Sequence, residues 1–187
     1  MNFTISFFGP FRIATGHAGN GADDTVDPNN PLPGSSLKGL FRASAAALIG
    51  ETARGRELID AIFGSKGRGS AWAWSKARLV GSAAGLEPIP RARVSILPET
   101  STARDKSLLF AEELWPDSAT FEVQPLAPLD SGVRERHEVL LAIAGRAIQA
   151  LGADRRRGLG WVEVKPATPE LDVAIQRFLH LRAELAS

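Results

Sequence analysis

The sequence predicts an α+β domain, because stretches with two different spacings of apolar residues, one typical of strands and one typical of helices, alternate along its 187 residues. At the N-terminus and in several later stretches, apolar residues alternate with polar ones, which is the period-two pattern of half-buried strands. Between these stretches, apolar residues recur every three or four positions, as they do in amphipathic helices. The resulting order of strand, helix, strands, helix and strand predicts a ferredoxin-like (RRM-like) βαββαβ core with an inserted β-hairpin.

The first third of the chain is predicted to form one strand and two helices. Residues 2 to about 13 alternate as a strand, and the Gly-, Asn- and Asp-rich stretch 15–33 that follows is predicted to be a loop. Residues 36–49 have one apolar helical face and end at Gly50, a typical helix stop. A shorter helix is expected over 54–63.

The rest of the chain is predicted to alternate between strands and helices. Strands are expected at 77–80, 93–96, 108–112, 119–124 and 161–164. Helical patterns cover 134–151 and about 169–186, and the second of these helices is expected to start at Pro169. We place the inserted hairpin at about 91–124 and treat 1–187 as a single domain.

The composition limits the classes of function that the chain can have. A hydrophobic share of 44% is enough for a packed core, and a formal net charge of +1 means that any polyanion site must come from clustered charge. The absence of cysteine excludes disulfides and thiol chemistry. No basic N-terminal stretch with a long apolar run is present, so neither a signal peptide nor a membrane span is predicted. We therefore expect a cytoplasmic protein with no membrane partner.

The most informative motif is a Pro-Gly-Ser-Ser turn that runs directly into the first helix. Backbone N–H groups and hydroxyls at a helix start, with two cations one turn apart, suit a phosphate, and the helix dipole adds to the attraction. The residues concerned are Gly34, Ser35, Ser36, Lys38 and Arg42. The alternative interpretation is an ordinary helix start with two solvated cations.

A second basic motif lies between the predicted helix at 134–151 and the last strand. It consists of Arg155, Arg156 and Arg157, followed by Gly158 and Gly160. Adjacent arginines beside glycines allow cations and backbone amides to approach one anion together, although a charged surface turn would have the same composition. In a ferredoxin-like unit the loop after the first strand and the loop before the last can lie close together. The two basic motifs therefore predict one groove that binds a nucleic-acid backbone.

The segment from Pro33 to Arg42, PGSSLKGLFR, resembles the signature of the RAMP superfamily of CRISPR-associated RNA-binding proteins. More narrowly, it is similar to the repeated backbone subunits of type III CRISPR effector complexes. Residues 17–21 resemble a His-x-Gly-x-Gly turn, 62–64 a Phe-Gly element, 91–124 a β-hairpin called the thumb, and 157–164 a glycine-rich loop with its final strand. The resemblance thus extends over nearly the whole chain.

The resemblance implies an RNA-binding role. It implies that hydroxyls and cations of the first motif hold the backbone of a guide RNA, and that the thumb intrudes into the guide–target duplex at regular intervals. The residues assigned to RNA binding are His17, Asn20, Gly34, Ser35, Ser36, Lys38, Arg42, Arg104, Arg155, Arg156, Arg157, Gly158 and Gly160. The implied partners are a CRISPR guide RNA, a target RNA and other RAMP-type subunits, including copies of this chain.

The resemblance also implies that an aspartate in the loop before the Pro-Gly-Ser-Ser turn cleaves target RNA. Asp23, Asp24 and Asp27 are the candidate catalytic residues, and Asp24 and Asp27 are the candidate ligands of a divalent metal, Mg²⁺ or Mn²⁺. An Asx-rich turn would have the same composition. Three other functions stay open. They are a non-cleaving structural or capping subunit, a metal-independent guide-processing endoribonuclease in which His17 is the general acid or base, and a ferredoxin-like module that binds no RNA.

Overall fold

A computed structural model describes residues 1–168 and 170–186. In chain order its strands and helices are β1 (Asn2–Phe7), α1 (Gly34–Ile49), α2 (Ala53–Phe63), β2 (Trp72–Trp74), β3 (Arg78–Val80), α3 (Ala83–Leu86), β4 (Ile89–Arg93), β5 (Ile96–Leu97), β6 (Thr102–Ala103), β7 (Leu109–Glu113), β8 (Ser118–Pro125), α4 (Ser131–Arg146), a 3-10 helix (Arg155–Arg157), β9 (Val162–Pro166) and α5 (Leu171–Ala186).

The main sheet has five strands, and all of its pairings are antiparallel. Its order is β2, β8, β1, β9, and β3 also pairs with β8. Phe3 of β1 lies opposite Phe121 of β8 on one side and opposite Pro166 of β9 on the other. The predicted α+β class is therefore confirmed.

Helices cover one face of this sheet. The alternating residues Phe3, Ile5 and Phe7 of β1 are buried against them. Phe3 stacks on Phe121 with ring centroids 5.0 Å apart, and it meets Phe41 of α1 edge-on at 5.2 Å. The residues between them point to the opposite face, where Thr4 is exposed and Ser6 is half-buried. The sheet thus has one packed face and one open face.

Several strands differ from the prediction. The expected strand at 93–96 is divided between the end of β4 and the start of β5, and β6 is absent from the prediction. The first strand ends at Phe7 rather than near residue 13, because Gly9 and Pro10 follow and proline has no N–H to donate to a ladder. β2, which is absent from the prediction, lies in a Gly- and Ser-rich region. It is held by tertiary contacts: Trp72 is buried and its Nε1 donates to Nδ1 of His137 on α4 at 3.1 Å.

The helices also differ at their ends. α4 begins at Ser131 and stops at Arg146, five residues before the predicted end at 151. The C-terminal helix is described from Leu171 to Ala186, and its predicted first residue, Pro169, lies outside the described residues. Of the helices in the described part of the chain, none is both long and apolar enough to cross a lipid bilayer.

The segment between β3 and the next strand of the main sheet contains an inserted hairpin, residues 89–113. In it β4 pairs antiparallel with β7, and β5 pairs with β6 between them. The predicted boundary of 91–124 is wrong at its C-terminal end, because β8 is an inner strand of the main sheet. The alternating side chains of Ala119, Phe121 and Val123 are buried in the main core, which is why this strand joins the sheet rather than the hairpin.

Candidate nucleic-acid interface

The start of α1 is built against the main sheet. A Cβ on Gly34 would collide with the backbone carbonyl oxygen of Trp74, so a glycine allows this close approach of helix to strand. Pro33 precedes the helix in an extended conformation, and the first turn contains no acidic residue. Ser35 is exposed there and Ser36 is half-buried. The positive end of α1 therefore presents hydroxyls without a neighbouring carboxylate on its own first turn.

The arginine turn, residues 154–160, has an unusual backbone. Asp154, Gly158 and Gly160 all have positive φ, at 56°, 87° and 71°, around the 3-10 helix. A Cβ on Gly160 would collide with the carbonyl oxygen of Leu151. The amide of Gly160 donates to Pro10 O at 2.7 Å, so this amide has a structural partner rather than being free for a ligand.

The side chains of the arginine turn face solvent. Arg155, Arg156 and Arg157 are all exposed, and Gly158 beside them has open space around its Cα. Arg157 is 79% exposed and lies 3.8 Å from Asp154. At that distance and exposure the pair is weak, so the turn carries cations that an external anion can reach.

The loop after β1 lies directly against the arginine turn. Besides the bond between Gly160 and Pro10, the amide of Ala153 donates to Arg12 O at 2.9 Å. These backbone contacts hold the two loops together.

Two adjoining grooves run between α1 and the arginine turn. Together they are called the α1 groove here. The first has a volume of about 370 Å³ and is lined by Ser36, Gly39 and Arg155 among others. The second, about 980 Å³, extends along the small residues of α1, such as Ala43, to Arg155, Arg156 and Arg157. One of the two serines of the first motif and all three arginines of the second are thereby brought together.

Two predicted cations lie on the other flank of α1. Nη2 of Arg42 pairs with Asp60 Oδ1 at 2.9 Å, and its Nη1 donates to Gly64 O at 2.7 Å. Arg42 therefore joins α1 to the end of α2, and Lys38, one turn earlier, shares that flank. Arg42 therefore does not line the groove with the arginine turn as predicted, because its side chain is held by Asp60 and Gly64.

The three loop aspartates have three different partners. Oδ2 of Asp23 accepts from the amide of Phe110 in the inserted hairpin at 2.8 Å. Asp24 pairs with Nη1 of Arg12 at 2.5 Å, and its buried Oδ1 has no partner among the described residues. Asp27 accepts from the amide of Asn29 at 2.9 Å and so closes its own Asx turn.

This arrangement does not fit the predicted metal site. A divalent cation of this class needs several oxygen ligands around one point. Asp24 faces a guanidinium, and Asp27 is engaged in a turn of its own. Within the described residues, no group of three or more His, Asp or Glu side chains is placed to hold a metal ion.

Asp154 is the centre of an ion-pair chain that sequence reasoning missed. Its Oδ2 accepts from Nε of Arg12 at 3.2 Å and from Nη2 of the same side chain at 2.7 Å, and it also pairs with Arg93 of β4. Burial by itself would raise the pKa of Asp154, but the hydrogen bond from Arg12 and the charge of Arg93 outweigh it and lower the pKa.

The ion-pair chain continues into the base of the inserted hairpin. Arg93 lies 3.8 Å from the buried Glu113, which pairs with Arg91 at 2.7 Å. Through Arg12 the ion-pair chain also reaches Asp24, so these ion pairs join the acidic loop, the arginine turn and the inserted hairpin. Its members come from segments far apart in the chain, and no local pattern in the sequence marks them as partners.

The remaining predicted site residues lie elsewhere. His17 is exposed, and its backbone oxygen accepts from Thr25 at 2.9 Å. Asn20 (φ 52°) and Gly21 (φ 78°) form the tight turn between Gly19 and Ala22, which gives Asn20 a conformational role. Arg104 is exposed near the far end of the inserted hairpin.

Comparison with known proteins agrees with this architecture. The sequence model of the RAMP superfamily matches residues 10–163. A structure described as "Cryo-EM structure of the Type III-B Cmr-beta bound to cognate target RNA" is similar over 88% of this chain and 95% of its own, with a TM-score of 0.65 and 11% identity. A second, "Type III-B Cmr-beta Cryo-EM structure of the Apo state", has a TM-score of 0.64 and 10% identity over the same shares. The search of curated proteins gave no match.

Proposed function

This chain belongs to the RAMP superfamily, and from that premise we propose that it is a guide-RNA-binding backbone subunit of a type III CRISPR effector complex. The observation that carries the proposal is the α1 groove, in which Ser36 faces the exposed arginine turn. The similarity to a Type III-B Cmr-beta structure bound to cognate target RNA supports the type of complex.

The proposed binding mode is phosphate contact. Arg155, Arg156 and Arg157 are free of strong ion pairs in the described structure, and a guanidinium binds phosphate through two parallel N–H donors. The start of α1 adds hydroxyls and the positive end of the helix dipole. Such contacts position an RNA backbone without reading its bases, so recognition of the target is left to base pairing with the guide.

We interpret the sheet as a ferredoxin-like core and the inserted hairpin as the thumb. The strand order β2, β8, β1, β9 supports the first interpretation. The second is supported by large apolar side chains that the hairpin leaves exposed: Val94, Ile96, Leu108, Leu109 and Phe110. Exposed apolar side chains of this kind suit a segment that is covered in an assembly, by RNA bases or by a neighbouring RAMP-type subunit.

We also propose that a loop aspartate cleaves target RNA, with Asp27 as the first candidate. Asp27 is exposed and accepts from the amide of Asn29 within its own loop, whereas Asp24 is tied to Arg12 and the exposed Asp23 to the inserted hairpin. A non-cleaving structural subunit is the second candidate, and the neutralisation of Asp24 by Arg12 favours it. The carboxylates of the described residues do not form a site for a divalent metal.

RNA binding is tested with a variant in which all three arginines of the turn become alanine. We expect weaker binding of single-stranded RNA and a plot of log affinity against log salt whose slope is reduced by about 2, because each lost phosphate contact removes about 0.7. The control is a second triple variant, Arg56→Ala, Arg134→Ala and Arg177→Ala, which loses the same number of positive charges on other surfaces. Equal effects in both triple variants would contradict a specific role for the arginine turn.

Cleavage is tested in the assembled guide complex with Mg²⁺ or Mn²⁺ and with chelator. Asp23→Asn, Asp24→Asn and Asp27→Asn are compared with the wild type. Regularly spaced, metal-dependent cuts that Asp27→Asn abolishes, with RNA binding retained, would establish the endoribonuclease. Bound but uncut target in every sample would establish the non-cleaving subunit. Chelator-resistant cutting of a hairpin repeat RNA would instead indicate guide processing through His17.

A further inference from the structure

Two large aromatic side chains lie side by side on the open face of the main sheet. Phe8 is 69% exposed and Trp161 is 59% exposed. Each is adjacent to a buried residue, Phe7 or Val162, and these two are paired in the β1–β9 ladder. The hydrogen bond from the amide of Phe8 to Trp161 O extends this ladder by one pair beyond the two strands, so the alternation of side chains places Phe8 and Trp161 on the same side, away from the core.

The backbone beneath this aromatic pair is held rigidly. The amide of Phe8 donates to Trp161 O at 2.9 Å, and the amide of Phe7 donates to Asp117 O at 3.0 Å. On the other side, the amide of Val162 donates to Gln149 O at 2.9 Å. A surface of this kind is preorganised, so little further ordering is needed when a ligand covers it.

The open face of the sheet next to the pair is polar. The next row of the open face pairs the hydroxyl residues Ser6 and Ser118, and the neighbouring Glu163 is neutralised by Lys165 at 2.7 Å. Trp161 immediately follows the arginine turn. A cleft between the arginine turn and the inserted hairpin has a volume of about 620 Å³. It is lined by the exposed Arg157, by Arg91 and Arg93, which pair with Glu113 and Asp154, and by apolar residues such as Val94 and Ile96.

This combination favours nucleic acid over protein as the occupant. A protein interface of comparable exposure would be expected to continue as an apolar patch, whereas single-stranded nucleic acid needs aromatic platforms beside cations. Aromatic residues on neighbouring strands of an open antiparallel sheet stack on two or three bases in other RNA-binding sheets. The adjacent arginine turn supplies the charge complementary to the phosphates of those bases.

We infer that Phe8 and Trp161 form a stacking platform for consecutive bases of a single-stranded RNA segment whose phosphates contact the arginine turn. The inference rests on the proposed function and adds to it the strandedness of the RNA and the side chains that hold its bases. Stacking is tolerant of base identity, so the platform binds RNA of any sequence.

The test compares the binding of a fluorescein-labelled 12-nucleotide single-stranded RNA of mixed sequence to full-length variants by anisotropy. Phe8→Ala and Trp161→Ala are expected to weaken binding about tenfold each, and Trp161→Phe, which keeps an aromatic ring, by about twofold or less. Their salt dependence is expected to stay that of the wild type. Leu126→Ala, which removes another highly exposed apolar side chain (65% exposed), is the matched control and is expected to have no effect.

A blunt-ended duplex of the same sequence provides the second arm, because its bases are not available to stack. Binding of the duplex is expected to be equal in all of these variants. Melting temperatures within about 2 °C of the wild type would show that the variants are folded, as expected for exposed positions.

The outcomes separate this inference from the proposed function. Loss of RNA binding in the arginine-turn variant with full binding in Phe8→Ala and Trp161→Ala would overturn the platform alone. If the aromatic variants lose self-association in sedimentation while their RNA affinity is unchanged, the pair is a protein interface. That result would also overturn the platform. Absence of RNA binding by the wild type would overturn both.

Discussion

Arg12 and Asp154 form an ion pair at 2.7 Å between two loops that are 142 positions apart in the chain. Their side chains are 12% and 16% exposed, so the pair is largely shielded from solvent and salt. The same guanidinium holds Asp24 at 2.5 Å. The geometry of the acidic loop therefore depends on the arginine turn, and a change in one is expected to affect the other.

Asp154→Asn is expected to destabilise the fold by about 3 kcal/mol, because two guanidinium groups would lose their shared carboxylate in a shielded site. Urea denaturation at pH 7 measures this, with Asp105→Asn, an exposed aspartate of the inserted hairpin, as the control. Since the folded-state pKa of Asp154 is lowered, its contribution is present above the unfolded value of 3.8 and is lost as pH falls through the folded value. A difference between variant and wild type that did not shrink in acid would contradict this account.

The buried His137 is expected to make stability depend on pH. Burial lowers the pKa of His137 below its ordinary value of 6.5, and the nearby charges of Arg136 and Arg68 lower it further. The unfolded chain therefore takes up a proton first, so stability is lost as pH falls from about 6.5 towards the lower folded-state pKa.

The measurement for His137 is the free energy of unfolding between pH 7.5 and 5.5 in the wild type and in His137→Gln. The glutamine keeps an acceptor for Nε1 of Trp72 but does not titrate. We expect a shallower pH dependence in the variant. The same slope in both proteins would show that this histidine is not the origin of the acid sensitivity.

Gly158 and Gly160 form a matched pair for testing the arginine turn. Both have positive φ, but Gly158 has open space around it, whereas a Cβ on Gly160 would collide with Leu151 O. Gly158→Ala is expected to cost about 1 kcal/mol of backbone strain, and Gly160→Ala clearly more, since the backbone must also move. Thermal unfolding compares them, and equal losses would contradict the packing role assigned to Gly160.

Arg42 and Arg155 are expected to differ in what they support. Arg42→Ala removes the contacts with Asp60 and Gly64 and is expected to cost about 1 kcal/mol of stability, with little change in the salt dependence of RNA binding. Arg155→Ala is expected to weaken RNA binding without lowering the melting temperature. RNA-binding anisotropy and thermal melts on both variants check this. A reduced slope of log affinity against log salt in Arg42→Ala would show that Arg42 contacts RNA.

The sequence by itself determined the elements whose signals are local. The alternation of Phe3, Ile5 and Phe7 predicted a half-buried strand, and Gly50 predicted where α1 ends. The helix begins at Gly34, two residues before the predicted start at 36. The motif from Pro33 to Arg42 indicated the family that the sequence comparison confirms. These features depend on a few consecutive residues, so periodicity and turn chemistry are sufficient to find them.

Tertiary structure alone decided which side chains share a site. Trp72 joins the sheet because His137 accepts its Nε1–H, Arg42 turns to Asp60 instead of the arginine turn, and Asp24 is neutralised by Arg12. Each of these pairings joins different segments of the chain. Ion pairs and buried hydrogen bonds form where folding brings their partners within about 3 Å of each other. The order of residues along the chain does not show which residues come that close.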